Sequence, residues 1–329
     1  MWLSWLAVLG GFGLLVWSAE RFVHGAAGLA RNLGVSSLVI GMTIMGFGTS
    51  APEMLVSGMA AGSGNPGLGV GNALGSNIAN IALVLGTTAL IMPLTVDSRI
   101  VRREFPMLFV VTLLAAGLLL DGELGVLDGT VLMSATALMV AWMIWMSRQP
   151  QKPDHVAPGA DPLEAEFEHE IPTGMSTGQA VLWVVLGLVV LVLSSKLLVW
   201  GAVGIASDMG VSDLVIGLTI IAVGTSLPEL AASVISALKG EDDMAVGNVI
   251  GSNMFNLLAV LGLPGLIAPS VLEPAVMQRD FPVVIALTLL LFLMAYGFRG
   301  HGRINRFEGG ILLACFAGYM SWLGLTSLG

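Results

Sequence analysis

Apolar residues along this chain come in long blocks separated by short polar breaks. Blocks of the length that crosses a bilayer as a helix, about 20 residues each, run over 2–19, 36–60, 69–92, 105–120, 124–147, 178–201, 212–238, 244–268, 281–298 and 307–327. The pattern predicts an all-α integral membrane protein with ten transmembrane helices. Ten spans nearly exhaust 329 residues and leave no room for a soluble catalytic domain, so the chain reads as a non-enzyme whose function lies inside the bilayer. The longest polar stretch runs from Ser147 to Gly178. The first block, MWLSWLAVLGG, has no basic residues before it and is followed by Glu20 and Arg21, which marks a retained helix rather than a signal peptide.

The blocks repeat. GVSSLVIGMTI (34–44) matches GVSDLVIGLTI (210–220), GTSAPE (48–53) matches GTSLPE (224–229), GNALGSNIAN (71–80) matches GNVIGSNMFN (247–256), and REFP (103–106) matches RDFP (279–282), all at an offset of 176. The chain divides into a first five-helix repeat (1–147), a linker (148–177) and a second five-helix repeat (178–329). An odd number of spans per half sends the second copy into the membrane from the opposite side, which predicts two inverted repeats.

Charge placement agrees. With both termini outside, the inner loops carry Arg21, Arg31, Arg99, Arg102, Arg103, Arg148, Lys152, Lys239, Arg299, Arg303 and Arg306, and the outer side only Lys196 and Arg279. The repeat partners of Arg21, Arg31, Arg99 and Arg102 are Leu197, Ser207, Ala275 and Gln278, so the arginines disappear where inversion moves the loop outside. Composition fits this frame: 56% hydrophobic residues, 11% charged and a mean hydropathy of +0.90. The net charge of −9 comes largely from Asp154, Asp161, Glu164, Glu166, Glu168 and Glu170 in the linker and speaks against nucleic acid as a partner. The Pro-rich acidic linker reads as a solvated cytoplasmic tether without the ordered spacing of a calcium-binding loop. The single Cys315 can form no intrachain disulfide.

Within this apolar sequence Glu53 and Glu229 are out of place, since an acid at mid-bilayer costs on the order of 3 kcal/mol. No Lys or Arg shares either block, so the partner is expected to be a mobile cation or a proton. Pro52 and Pro228 lack an N–H, which leaves the carbonyls of Gly48 and Gly224 without helical partners and predicts locally unwound helices. Thr49, Ser50, Thr225 and Ser226 add hydroxyls, and Ser76, Asn77, Asn80, Ser252, Asn253 and Asn256 add hydroxyl and amide oxygens. Ser76 and Asn80, like Ser252 and Asn256, are four apart and share a helix face. A serine and asparagine stripe on a membrane helix has packing between helices as its second reading, more so at Asn77 and Asn253 than at the other four. Every candidate ligand is a hard oxygen, and His24, His155, His169 and His301 all fall in loops or at block ends, which favours sodium or calcium over zinc or copper.

The paired GTSAPE and GTSLPE, each followed at one spacing by GNxxGSNxxN, resemble the two alpha-repeats of the sodium/calcium exchanger family in the calcium/cation antiporter superfamily. The likeness is strongest to its compact prokaryotic members. That resemblance implies a secondary antiporter in the cell (inner) membrane that exchanges sodium for calcium by alternating access, with electrogenic calcium extrusion, no cofactor and no obligatory protein partner. Its ion ligands map to Glu53, Glu229, Thr49, Thr225, Ser50, Ser226, Ser76, Ser252, Asn80 and Asn256, with main-chain carbonyls at Gly46 and Ala222. Relatives that need potassium place Asp where this chain has Asn256, which implies potassium independence. The alternative is a proton-coupled calcium/cation antiporter, a branch whose acidic GN-centred motif is missing from Gly71–Asn72 and Gly247–Asn248.

Overall fold

The structure, a computed structural model, describes residues 2–35, 37–96, 100–147, 175–209, 222–296 and 302–327. Residues 212–221 of the seventh apolar block and 148–174 of the linker lie outside the described residues. The helices are α1 (Trp2–Leu33), α2 (37–62), α3 (Pro66–Ile91), α4 (100–118), α5 (Val126–Ser147), α6 (Thr177–Asp208), α7 (222–238), α8 (Asp242–Ile267), α9 (Val276–Ala295) and α10 (Arg306–Ser327). Among the described residues eight are long and apolar enough to cross a membrane; α4 and α7 are not among these eight.

Local sequence explains where the helices begin and end. Asn65 accepts from Leu68 N with Pro66 behind it to start α3. Ser176 with Gln179, and Asn305 with Glu308, make reciprocal side-chain to main-chain bonds that open α6 and α10. At the other end of α2, Asn65 N reaches Ala60 O around Gly64 (φ 84°), and at the end of α7 Glu241 N reaches Ser236 O around Gly240 (φ 74°). Both glycines are needed there, because the left-handed turn that caps the helix strains any residue with a Cβ.

The helix α1 runs past the predicted block through Glu20 and Arg21 to Leu33. The Arg21 guanidinium lies 5.9 Å from the Trp17 ring centre and 5.1 Å from that of Trp183, so its charge rests on aromatic faces while the helix continues. Packing is closest where glycines meet backbone. A Cβ on Gly11 would stand 3.0 Å from Leu198 N, on Gly187 2.7 Å from Phe22 N, on Gly25 2.7 Å from Val184 N and on Gly201 2.6 Å from Ser4 O. Rising numbers on α1 meet falling numbers on α6, so the two run antiparallel, held by small residues as membrane helices commonly are.

Two short strand pairs cross between the halves. Strand β1 (Leu94–Val96), after α3, pairs antiparallel with β4 (Gly302–Ile304), before α10; β2 (Glu123–Leu124), before α5, pairs with β3 (Ser270–Val271), after α8. The helices follow suit: Gly86 of α3 lies against Gly309 of α10, and Gly262 and Gly265 of α8 lie against Gly129 of α5. Burial sorts centre from rim, with 83% of the apolar window of α8 and 72% of that of α3 buried, against 28% for α1 and 11% for α10. The core therefore sits around α2, α3, α7 and α8, and these carry the repeated motifs.

Candidate ion site

Both glutamates are only 1% exposed. None of their four carboxylate oxygens has a hydrogen-bond partner among the described residues. Around them Thr49, Ser50, Ser76, Ser226, Ser252, Asn80 and Asn256 are all buried, Gly46 is buried and Thr225 half-buried. The Ser50 and Ser226 hydroxyls and both amide atoms of Asn80 and of Asn256 have no partner among the described residues. Ala222 opens the short helix Ala222–Thr225. Buried polar atoms are nearly always satisfied; the eight oxygens in this set, from two acids, two hydroxyls and two amides, are of the kind that can take up positive charge.

The two motif helices differ. In the first half the predicted break at Pro52 does not occur: Gly46–Gly62 is one α-helix with Pro52 inside it. The irregularity lies upstream, in a π-helical turn over Gly41–Met45 that ends two residues short of the motif. In the second half the break does occur, at Ser226 (φ −91°, ψ 6°), between Ala222–Thr225 and Leu227–Leu238. The Gly224 carbonyl, which the sequence left free, accepts the Ser195 hydroxyl at 2.9 Å. On the partner helices both amides sit beside widened turns: Asn80 lies at the start of a π-helical run over Ala79–Leu85 and Asn256 opens the one over Asn256–Val260. A π turn adds a residue per turn and rotates the side chains beyond it about the helix axis, and the asparagine spacing alone gives no sign of it.

Cross-half hydrogen bonds bring part of the expected set together. The Thr49 hydroxyl lies 3.0 Å from Met45 O, 3.3 Å from Asn248 Oδ1 and 3.3 Å from the Ser252 hydroxyl, and Ser252 Oγ donates to Gly46 O at 3.3 Å. Asn77 Nδ2 donates to Ala73 O at 2.8 Å, while both amide atoms of Asn253 are buried without a partner among the described residues. Two residues that the sequence reading named only for lacking an acid, and left out of the ligand set, sit in the same network. Asn72 Nδ2 donates to Glu53 O at 3.2 Å and Asn248 Nδ2 to Glu229 O at 3.4 Å, one bond in each half at the same offset. The available signal was the asparagine itself, repeated within an apolar block.

Comparison with known proteins returns one family. The family described as sodium/calcium exchanger protein matches residues 3–145 and 179–325, on either side of the linker. A candidate antiporter, CaxA, of Alkalimonas amylolytica is 51% identical over 319 residues, 97% of this chain and 98% of its own length. The inner membrane protein YrbG of Escherichia coli is 38% identical over 99% of this chain and 97% of its own, and the sodium/calcium exchanger MaX1 of Methanosarcina acetivorans 28% over 96% and 97%. The solved structure of the sodium-calcium exchanger NCX_Mj, soaked with sodium and strontium, superposes with a TM-score of 0.81 at 32% identity, covering 97% of this chain and 98% of that one.

Proposed function

The chain belongs to the sodium/calcium exchanger family, and on that premise we propose that it exchanges sodium for calcium across the cell (inner) membrane by alternating access. The observation that carries this reading is the pair of buried glutamates whose four oxygens have no hydrogen-bond partner among the described residues. Two negative charges in a low-dielectric core cross the barrier only when cations cancel them. One calcium does so, and so do two sodium ions. A third sodium makes the cycle electrogenic, the extra charge being worth about 2.3 kcal/mol per 100 mV, and calcium leaves the cytoplasm.

Glu53 and Glu229 supply the charge, Thr49, Ser50, Thr225 and Ser226 the hydroxyls beside them, Asn80 and Asn256 neutral amide oxygens, and the carbonyls of Gly46 and Ala222 the main-chain oxygens one turn earlier. Ser76 and Ser252 complete flanking sodium sites. Only oxygen donors of this kind suit calcium, which takes six to eight at irregular angles. The architecture we assign is ten transmembrane helices in two inverted five-helix repeats, 1–147 and 178–329, with a cytoplasmic linker at 148–177 and both termini outside. Support comes from repeat-equivalent α1 and α6 running antiparallel and from the reciprocal strand pairs.

The deciding measurement is calcium uptake into vesicles reconstituted with the purified full chain. Uptake that requires internal sodium is the expected result. Uptake that follows a pH gradient without sodium transfers the chain to the proton-coupled branch, and uptake that follows the calcium gradient alone makes it a channel.

A further inference from the structure

Each half carries an arginine and an acid at the start of its fourth helix, and the two pairs are in different states. The backbone is the same in both: a π-helical turn, Ile100–Glu104 in α4 and Val276–Asp280 in α9, leads into α-helix at Phe105 and at Phe281, each followed by a proline. In the second half the pair is closed. Arg279 Nε donates to Asp280 Oδ1 at 2.7 Å and its Nη2 to Oδ2 at 3.3 Å, and the Tyr319 hydroxyl of α10 donates to Oδ1 at 3.0 Å. In the first half the pair is open. Glu104 is 1% exposed, its side chain caps no helix N–H, and its Oε2 has no hydrogen-bond partner among the described residues. The exposed Arg103 guanidinium lies instead 4.9 Å from the ring centre of Trp142 in α5. Sequence accounts for the difference, since the repeat equivalents of Trp142 and Met143 are Gly318 and Tyr319. The first half has a ring to hold its arginine and a thioether where the second half has the hydroxyl; the second half has no ring.

A charged carboxylate oxygen buried without a donor is far more costly than a neutral carboxyl in the same place, so Glu104 holds a proton here. We propose that Glu104 is a proton-binding site, and that losing the proton moves the Arg103 guanidinium from the Trp142 face onto the carboxylate, the arrangement that Arg279 and Asp280 hold in the other half. The proton goes to water at the exposed end of α4. The guanidinium stays charged throughout, so the pair passes from one positive charge to none. An exposed aromatic face holds a cation weakly and a two-pronged bond to a carboxylate holds it more strongly, so the ring keeps Arg103 only while the acid is neutral. Neighbouring charges do not compete. Arg102 on the same turn is exposed, Asp242 of α8 accepts Thr95 N at 2.8 Å, Arg303 opposite Thr95 in β4 is exposed, and among the described residues no ion pair reaches Glu104. Glu104 stands one position ahead of the apolar block 105–120, and the bond from Thr95 to Asp242 sets this end of α4 on the side of the membrane where α8 begins. Under the orientation proposed above that side is the cytoplasm, so the site reads cytoplasmic pH apart from any proton at Glu53 or Glu229. The side rests on that reading; the switch itself does not.

The test titrates the full chain in detergent, without calcium, from about pH 5 to about pH 9. Tryptophan emission of the wild type changes as Arg103 leaves the ring. That component is lost in Glu104→Gln, which stays neutral, and equally in Trp142→Leu, which has no ring to leave. The infrared carbonyl band of a protonated carboxyl, read as the part that Glu104→Gln deletes in each background, follows the proton itself. Its midpoint moves roughly half a pH unit lower in Trp142→Leu, about a threefold loss of proton affinity, and about one unit higher in Arg103→Gln, about a tenfold gain. In sealed vesicles of one orientation the emission change follows the pH on the face from which Lys239→Cys is labelled in a Cys315→Ala background; a change that follows the other face overturns the assigned side. A Glu104→Gln protein that titrates like the wild type overturns the proposal. So does an emission component that Glu104→Gln loses and Trp142→Leu keeps, and so do midpoints that move the same way in Trp142→Leu and Arg103→Gln.

Discussion

Glutamine in place of Glu53 or Glu229 keeps the volume and one oxygen of the side chain and deletes its charge. We expect both variants to fold, since an unpaired acid is removed from the core. Sodium-driven calcium uptake should drop at least about a hundredfold, the equivalent of roughly 3 kcal/mol, and the rise in melting temperature that calcium gives the wild type should vanish. Near-normal uptake in either variant takes that glutamate out of the site. Asn256 carries a second expectation at this scale. With an amide at this position the site holds two carboxylates, and exchange should run at full rate in potassium-free buffer at constant ionic strength; dependence on restored potassium at fixed membrane potential contradicts it. Asn256→Asp adds an acid and should make uptake fall more steeply as pH drops, because a third carboxylate gives protons another place to compete. The glutamates and hydroxyls were legible in the sequence because an acid inside an apolar block is expensive enough to need a reason. Asn72 and Asn248 entered the sequence reading only as positions without an acid, since their partners are carbonyls 19 positions away, a relation that only the packing of α3 on α2 and of α8 on α7 creates.

The helices show where sequence rules reach their limit. Proline predicts a lost hydrogen bond in both motifs, and that is all it predicts; whether the helix breaks depends on who takes the freed carbonyl. In α7 the break at Ser226 coincides with a hydroxyl from α6, Ser195, on Gly224 O. The repeat equivalent of Ser195 is Ala19, and in that half the helix runs through Pro52 intact. Ser195→Ala should therefore leave a buried carbonyl unsatisfied and destabilise the protein by about 1–2 kcal/mol, read as a lower unfolding temperature in detergent, while Ala19→Ser should not mend anything in the first half. An unchanged unfolding temperature in Ser195→Ala would mean that water or another donor serves Gly224. The π-helical turns were invisible in the sequence for a related reason: the widened turn over Asn256–Val260 gives up a regular ladder, and Ser57 of α2 takes the Val260 carbonyl at 2.7 Å. The donor lies in the other half of the chain.

At the scale of the whole molecule, the block pattern yielded the membrane class and the paired motifs the resemblance to the family, both without coordinates. Topology is open to direct measurement. With Cys315 replaced by alanine, a cysteine at Ser63 should react with an impermeant thiol reagent from outside and one at Lys239, its repeat equivalent, from inside; labelling from one side only defeats the inverted repeat. These positions avoid Gly64 and Gly240, whose positive φ would strain a cysteine. Replacing 149–175 with a flexible linker should leave ion selectivity unchanged, as the proposed ligands all lie on the motif helices; altered selectivity would move recognition into the linker. What the sequence did not disclose is the reciprocity of the packing, in which the last helix and strand of each half lie on the third helix and the strand after it in the other. Each half thus carries both faces of its own interface, so two copies of a single half, inserted in opposite orientations, would satisfy these contacts as a two-fold dimer. Joining the copies into one chain gives up that symmetry and in return lets each position diverge from its twin. Ser195 opposite Ala19 is a difference that no dimer of identical subunits can hold, and it is the one that gives the second half its broken motif helix and leaves the first half's intact.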